Sequence, residues 1–201
     1  MARPTVTRIS ARDRIAEAAL RLFTSEGYGA TTIEGIAKEA GVGISTVYAV
    51  YGNKREIVAE LRRQWIDKAD VEALVAEAMR AVDPHQKLRL CARWIRRQME
   101  FGQPVISLIQ EAARTDPQVN RYLTAIRRKP RAKIAELAAS LGPSLVASMT
   151  PKDAEAVIWV FSQSGVYREF IHQWGWSPDR YEAWLSDALQ YQLLGHATGP
   201  G

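Results

Sequence analysis

Residues 40–57, AGVGISTVYAVYGNKREI, hold a very short helical pattern between two glycines. Gly41 accepts a left-handed backbone, so the chain can reverse within about three residues and start a helix steeply angled to the one before. In that helix the spacing turns Val47, Val50 and Tyr51 inward. Ile44, Ser45, Tyr48 and Ala49 are left on the outer side, with Thr46 at the margin. Gly52 ends the helix, and Lys54 and Arg55 open the next. A short, braced helix whose outer side is small and hydroxylated suits the major groove of DNA, with Lys54 in reach of a flanking phosphate.

The pattern upstream leads into this corner. Ser10, with Asp13 three residues on, starts a first helix on which Ile15, Ala19, Leu22 and Phe23 share a face. Gly27 and Gly29 stop it, and Thr31 and Thr32 cap a second helix whose Ile33, Ile36, Ala37 and Ala40 again share a face. Val42 then stands where a hydrophobic contact often accompanies a glycine stop.

Downstream the chain also reads as helices. One spans about 54 to 82 and another runs from Pro84 to about Phe101, with Leu88, Cys91, Ala92, Ile95 and Met99 in an apolar stripe. Gly102 and Pro104 are expected to separate it from VISLIQEAAR. A helix from Asp116-Pro117 to about Leu141 contains Pro130, which should kink it. Thr150-Pro151 and Ser177-Pro178 cap two last helices, the final one ending at Gly195. The expected fold is all-α, nine helices: a three-helix unit with a helix-turn-helix, then six larger helices. The domain boundaries are placed at 1–60 and 61–195, with a frayed tail at 196–201.

Composition narrows the function. The 201 residues carry a net charge of +5, of which +3 falls in residues 1–65, a mild lean toward a polyanionic partner. Arg3, Arg8, Arg12 and Arg14 are candidates for an arm along the DNA backbone or minor groove. The basic run RRKPRAK, 127–133, reads as a solvated helix face. One cysteine, Cys91, excludes an internal disulfide framework, and its spacing to His85, His172 and His196 matches no zinc pattern. The start lacks the apolar core of a signal peptide, and the longest apolar run, AVIWVF at 156–161, is too short to span a bilayer. A cytoplasmic protein without cofactor or membrane segment is expected. No nucleophile triad, phosphate-cradling glycine loop or paired-carboxylate motif stands out, so an enzyme is not expected.

AALRLFTSEGYGATTIEGIAKEAGVGISTVYAVYGNKREIVAEL, residues 18–61, closely resembles the N-terminal DNA-binding domain of TetR-type transcriptional regulators. The likeness lies in the Leu-Phe before Gly-Tyr-Gly, the Thr-Thr pair, IAKEAGV, the Thr-x-Tyr of the recognition helix and the Lys after its stop. The resemblance implies a homodimer that binds palindromic operator DNA and is released by a small-molecule effector in its C-terminal domain. It places Thr32, Thr46, Tyr48 and Lys54 at phosphates, and Ile44 and Ser45 at bases. Gly43 stands where the family often has a capping hydroxyl, and Ala49 where histidine is frequent; the alanine methyl is left to face a thymine methyl.

Two further residue sets follow from the helical pattern. Trp94, Met99, Phe101, Ile109, Tyr122 and Trp159 are core-type residues that would line an effector pocket, with Gln163 and Tyr167 as its polar handles. The helix bearing AVIWVF, apolar on every side, should be buried all round between pocket and partner subunit. Val157, Phe161, Ser164, Gly165 and Arg168 recur along one face toward that partner. On the last helix Tyr181, Trp184, Leu185, Ala188 and Tyr191 form an aromatic-rich stripe, so that two helices per subunit would build a four-helix interface. The reading is a repressor released by an apolar or aromatic molecule. Its rivals are an activator of the same family and a sequence-tolerant architectural DNA binder.

Overall fold

In a computed structural model, which describes residues 10–195, the periodic segments become ten α-helices. Ser10 caps α1 (Ala11–Glu26) by accepting from the Asp13 amide at 3.1 Å. Thr32 caps α2 (Ile33–Ala40) in the same way through the Gly35 amide, 3.0 Å. Gly41 adopts φ 64°, ψ 42°, and two backbone bonds close the end of α2: Gly41 N–H to the Lys38 carbonyl at 3.2 Å and Val42 N–H to the Ala37 carbonyl at 3.0 Å. This pair satisfies carbonyls that the helix end would otherwise leave bare. The reversal delivers α3 (Ile44–Tyr51) against α2.

The long middle helices differ from the sequence expectation in two places. The helix expected from 54 to 82 breaks into α4 (Lys54–Ala69) and α5 (Val71–Arg80) at Asp70, which takes a left-handed φ of 54°. Aspartate tolerates that region better than most residues because its short polar side chain bonds locally. The break expected at Gly102–Pro104 is absent, and α6 runs unbroken over Pro84–Thr115. Gly102 instead makes room: a Cβ there would overlap the indole of Trp65, whose Nε1–H donates to the Gln98 carbonyl at 2.9 Å. Pro104 removes one ladder bond, but burial of Val105, Leu108, Ile109 and Ala112 beyond it outweighs that loss.

Asp116 begins α7 (Pro117–Ser140), which continues through Pro130. Thr150 and Asp153 form a reciprocal capping box for α8 (Pro151–Phe161). This helix stops at Ser162, where the Ser162 hydroxyl and the Gln163 amide both donate to the Trp159 carbonyl at 2.8 Å. The stripe expected on one helix from Val157 to Arg168 is therefore divided between α8 and the short α9 (Ser164–Arg168), which passes into a π-turn over Glu169–Gln173. Last comes α10 (Pro178–Leu194), capped by Ser177.

Contacts group the chain into two units. The first comprises residues up to Gln64 together with Pro104–Leu123, and the second Trp65–Gln103 together with the chain from Thr124 onward. The core of the first holds Ile15, Ala19, Phe23, Ile36, Val47 and Ile57, none more than 1% exposed. The core of the second is built on Leu88, Cys91, Ile95, Leu137, Ile158, Tyr181, Leu185 and Leu189. Burial pushes the Cys91 thiol up to about 12, so it behaves as a small apolar side chain. Among the described residues no helix is long and apolar enough to cross a membrane, and no cluster of metal-ligating side chains occurs.

Candidate nucleic-acid interface and ligand residues

Helix α3 is held from inside. Val47 and Tyr51 are buried, and the Tyr51 hydroxyl donates to the Arg12 carbonyl at 2.9 Å, tying the end of α3 to the start of α1. Burial first, and then the Glu60 charge, push that hydroxyl up to about 12, so it stays a donor. The Arg12 guanidinium lies 5.0 Å from the Tyr51 ring centre and 3.3 Å from Glu60, which also accepts from Arg63 and Gln64. Arg12 thus braces the fold. Arg14 is exposed on α1, and Arg3 and Arg8 lie outside the described residues.

The outer side of α3 carries Ile44 at 43% exposure and Tyr48 at 52%, with Ser45 and Ala49 exposed and Thr46 at the edge. Ile44 and Tyr48, one helical turn apart, present apolar and aromatic surface side by side on this face. Gly43 starts α3 without a side-chain cap; its carbonyl takes the Thr46 amide at 2.9 Å, which leaves the amides of Ile44 and Ser45 at the helix start without a capping side chain. Gly43, Ile44, Ser45, Thr46, Tyr48 and Ala49 are therefore gathered at one accessible helix start.

Thr32 and Lys54 have other occupations. The Thr32 hydroxyl oxygen is the cap of α2. The Lys54 ammonium, expected to reach a phosphate, turns back instead and donates to the carbonyls of Tyr28 at 2.8 Å and Thr31 at 2.7 Å. It also sits 4.6 Å from the centre of the Tyr28 ring. Burial lowers its pKa, an effect that the Asp116 charge partly offsets. Sequence reasoning missed this because the carbonyls of a loop leave no mark in side-chain identity. It also missed Asn53, whose Oδ1 caps α4 by accepting from the Arg55 and Glu56 amides; an asparagine directly before a helix was the available signal.

The eight residues expected at a pocket fall in both units. Ile109 and Tyr122 belong to the first, and Trp94, Met99, Phe101, Trp159, Gln163 and Tyr167 to the second. Ile109 is 1% exposed and serves as core. Gln163, expected as a polar handle, spends its amide on the Trp159 carbonyl, and Trp94 donates its indole N–H to Gln98 at 3.0 Å. Arg131, next to Pro130, lies 5.7 Å from the Trp159 ring centre and pairs with Glu155. Arg96 is surrounded by Glu100, Glu182 and Asp179, which neutralise it.

The expected interface residues are also divided. Tyr181 and Leu185 are fully buried within the chain's own core, Tyr181 edge-on to Tyr167, so they cannot meet a partner as the stripe on α10 supposed. Trp184 packs edge-on against Phe161 and close to Phe170. The side of α8 expected to be covered is open in the single chain: Val160 is 58% exposed, and Tyr191 on α10 56%. A Cβ at Gly165 would meet nothing, and Ala188 is half-buried. Val157 is half-buried too, and Ser164 and Arg168 belong to α9.

Three short helices, with α3 set across the end of α2 by a left-handed glycine and its outer face bare, define a helix-turn-helix DNA-binding domain. The family described as bacterial regulatory proteins, tetR family, matches residues 15–61, the stretch from within α1 through α2 and α3 into α4. A stretch of 53 residues is 43% identical to the uncharacterized HTH-type transcriptional regulator YhgD of Bacillus subtilis (strain 168); it spans 26% of this chain and 28% of that relative's length. Over the whole length the fold is similar to NalD, the secondary repressor of the MexAB-OprM multidrug efflux pump in Pseudomonas aeruginosa. That match has a TM-score of 0.72 at 22% identity and covers 92% of this chain and 97% of that one. It is likewise similar to FadR of Bacillus subtilis, solved in complex with stearoyl-CoA, with a TM-score of 0.68 at 16% identity over 91% of this chain and 98% of that one.

Proposed function

We propose that the protein is a homodimeric repressor that binds an inverted-repeat operator through α3 and is released by an apolar or aromatic small molecule. The observation that carries the reading is the outer face of α3, where Ile44 and Tyr48 stand exposed beside Ser45 and Ala49 on a helix locked from within. Such a face, with no side-chain cap at Gly43, offers base contacts from Ile44, Ser45 and Ala49 and backbone contacts from Thr46 and Tyr48. Thr32 and Lys54 act one step back, by setting the start of α2 and the loop before it.

In this reading residues 1–60 read DNA, and 61–195 pair with a second subunit and take the effector. The pairing face is carried by Val160, Gly165 and Tyr191, since Tyr181 and Leu185 are spent on the chain's own core. An apolar effector is favoured because Arg96 is neutralised by three carboxylates, and the Gln163 amide and the Trp94 indole N–H already have partners. NalD is a repressor and FadR was solved with stearoyl-CoA, whose acyl chain is apolar although its phosphates are anionic, so neutral aromatic compounds are the first effectors to try and stearoyl-CoA the charged comparison. Helices α4, α6 and α7 each contribute residues to both units, so they are the path by which occupancy would be felt at the DNA.

The test is a linkage titration. An effector that lowers operator affinity must bind more weakly by the same factor when operator is present. Titrating stearoyl-CoA and a panel of neutral aromatics by tryptophan fluorescence, with and without operator, should give that reciprocity for at least one ligand. Ligands that bind tightly and equally in both cases would contradict the switch.

A further inference from the structure

Glu60 is a carboxylate only 7% exposed, on the part of α4 that belongs to the same unit as α1 to α3. Its two oxygens accept from Arg63, from the Gln64 amide at 3.0 Å and from Arg12 at 3.3 Å. Arg63 and Gln64 stand on Glu60's own helix, but Arg12 stands in the first turn of α1. The Gln64 amide reaches that turn a second time, 3.5 Å from the carboxylate of Asp13, which also accepts from the hydroxyl of the capping Ser10. Helix ends fray when nothing holds them, and here α4 holds the start of α1. Tyr51, the last residue of α3, completes the chain of contacts: its hydroxyl donates to the Arg12 carbonyl at 2.9 Å, and the Arg12 guanidinium lies over its ring.

Helix α3 has only eight residues, too few to be stable without packing. Its two buried side chains are Val47 and Tyr51, and of these only Tyr51 can hydrogen-bond to a neighbouring helix. The orientation of α3 is therefore set by its packing on α2 and by the tie from Tyr51 to Arg12, and that tie is only as firm as the hold of Glu60 on Arg12. We infer that Glu60 is a positioning residue for DNA reading: through Arg12 and Tyr51 it fixes the end of α3, so that the helix meets the operator in an orientation already set in the free protein. Glu60 and Tyr51 are both buried and offer DNA no surface of their own. A negative charge in a DNA-binding unit also works against affinity for a polyanion, so what Glu60 contributes is its bonds and not its field.

The inference rests on the DNA-binding reading, and the experiment separates the two. The full-length chain and its Glu60→Gln, Tyr51→Phe and doubly substituted variants are compared for affinity to an operator selected from random DNA by the wild-type chain. The comparison is made over a range of salt concentrations, at a temperature where circular dichroism shows each fully folded. Arg12 is half exposed and stays unsubstituted, so that no contact of its own with DNA is disturbed. Glutamine keeps the size of Glu60 without its charge, and phenylalanine keeps the ring under Arg12 without the hydroxyl. Loss of a negative charge alone would tighten binding to DNA; the inference predicts the reverse. Each single variant should bind roughly tenfold more weakly, the loss expected when α3 is correctly placed in about a tenth of the free molecules. The slope of affinity against salt should not change, because no phosphate contact is removed. The double variant should bind no more weakly than the weaker single, since residues in one chain of contacts are not additive. Should one substitution prevent folding, the other single variant decides. Affinity at or above wild type in the folded single variants, a changed salt slope, or losses that multiply in the double would overturn the inference. A wild-type chain that selects no DNA at all would overturn the DNA-binding reading on which it rests.

Discussion

On the scale of single residues, the division of labour on α3 is testable by substitution. Ile44→Ala and Ser45→Ala should change which bases are preferred, with a discrimination loss of about 1–3 kcal/mol at one position of each half-site. Tyr48→Phe should weaken all sequences alike, since a phosphate carries no base identity. A changed preference with unchanged affinity for Tyr48→Phe would reverse the assignment. For Lys54 the structure changes the expectation: its ammonium anchors two loop carbonyls, so Lys54→Ala should lower the stability of the chain by roughly 1–2 kcal/mol in urea unfolding as well as reduce operator binding. The acid limb of stability belongs here too. Glu60 is held below the usual carboxylate range by its bond from Arg63, which with Gln64 and Arg12 outweighs burial. For Asp116 burial is opposed and outweighed by the Gln118 and Val119 amides, Arg55 and Tyr28. Both pKa values are depressed in the folded chain, so their contribution is complete above about pH 5 and is lost as pH falls below about 4 through the folded values. Thermal unfolding against pH should show this decline, and Glu60→Gln should flatten part of it.

Individual elements carry the lesson about what a sequence discloses. Gly102→Ala would drive a methyl group into the Trp65 indole, break its bond to the Gln98 carbonyl and cost roughly 1–3 kcal/mol, with a shift in tryptophan emission. A mild effect would mean that Trp65 has another place to go. That glycine reads in the sequence as a helix stop, and with Pro104 beside it the pattern suggests a break, because local propensity is all that neighbours in sequence reveal. What keeps α6 whole is tertiary: an indole from α4 on one side and buried Val105 and Ile109 beyond the proline. Asp70 shows the converse, since nothing in its neighbours announces a left-handed turn inside a helical pattern. By contrast α1 to α3 were legible almost residue by residue, for their caps and glycine stops are local devices: Ser10, Thr32 and Gly41 each do what their type does best. The outer face of α3 was legible for the same reason. Legibility failed for Lys54, whose partners are backbone carbonyls, and for Tyr181 and Leu185. An aromatic stripe on a helix has the same spacing whether it faces the chain's own core or a partner.

At the scale of the whole molecule, the account depends on pairing and on DNA. The exposed Val160 on α8 and Tyr191 on α10 leave apolar surface that a second subunit would cover, and α8 and α10 pack on each other to present it. Val160→Arg should therefore give a folded monomer in sedimentation at micromolar concentration. Tyr181→Ala should lower thermal stability by about 3–5 kcal/mol without that dissociation of the folded fraction, as expected for a large core truncation. A dimer that survives Val160→Arg unchanged would place the pairing face elsewhere. Yet the claim on which everything rests is that α3 reads DNA with the symmetry of a twofold dimer. The most direct measurement is selection of bound fragments from random duplex DNA by the full-length chain. The account predicts an inverted repeat whose half-sites lie about one helical turn apart or slightly more, lost when Ile44 and Ser45 are both replaced. Enrichment of no motif, or of a single asymmetric one indifferent to Ile44 and Ser45, would contradict it.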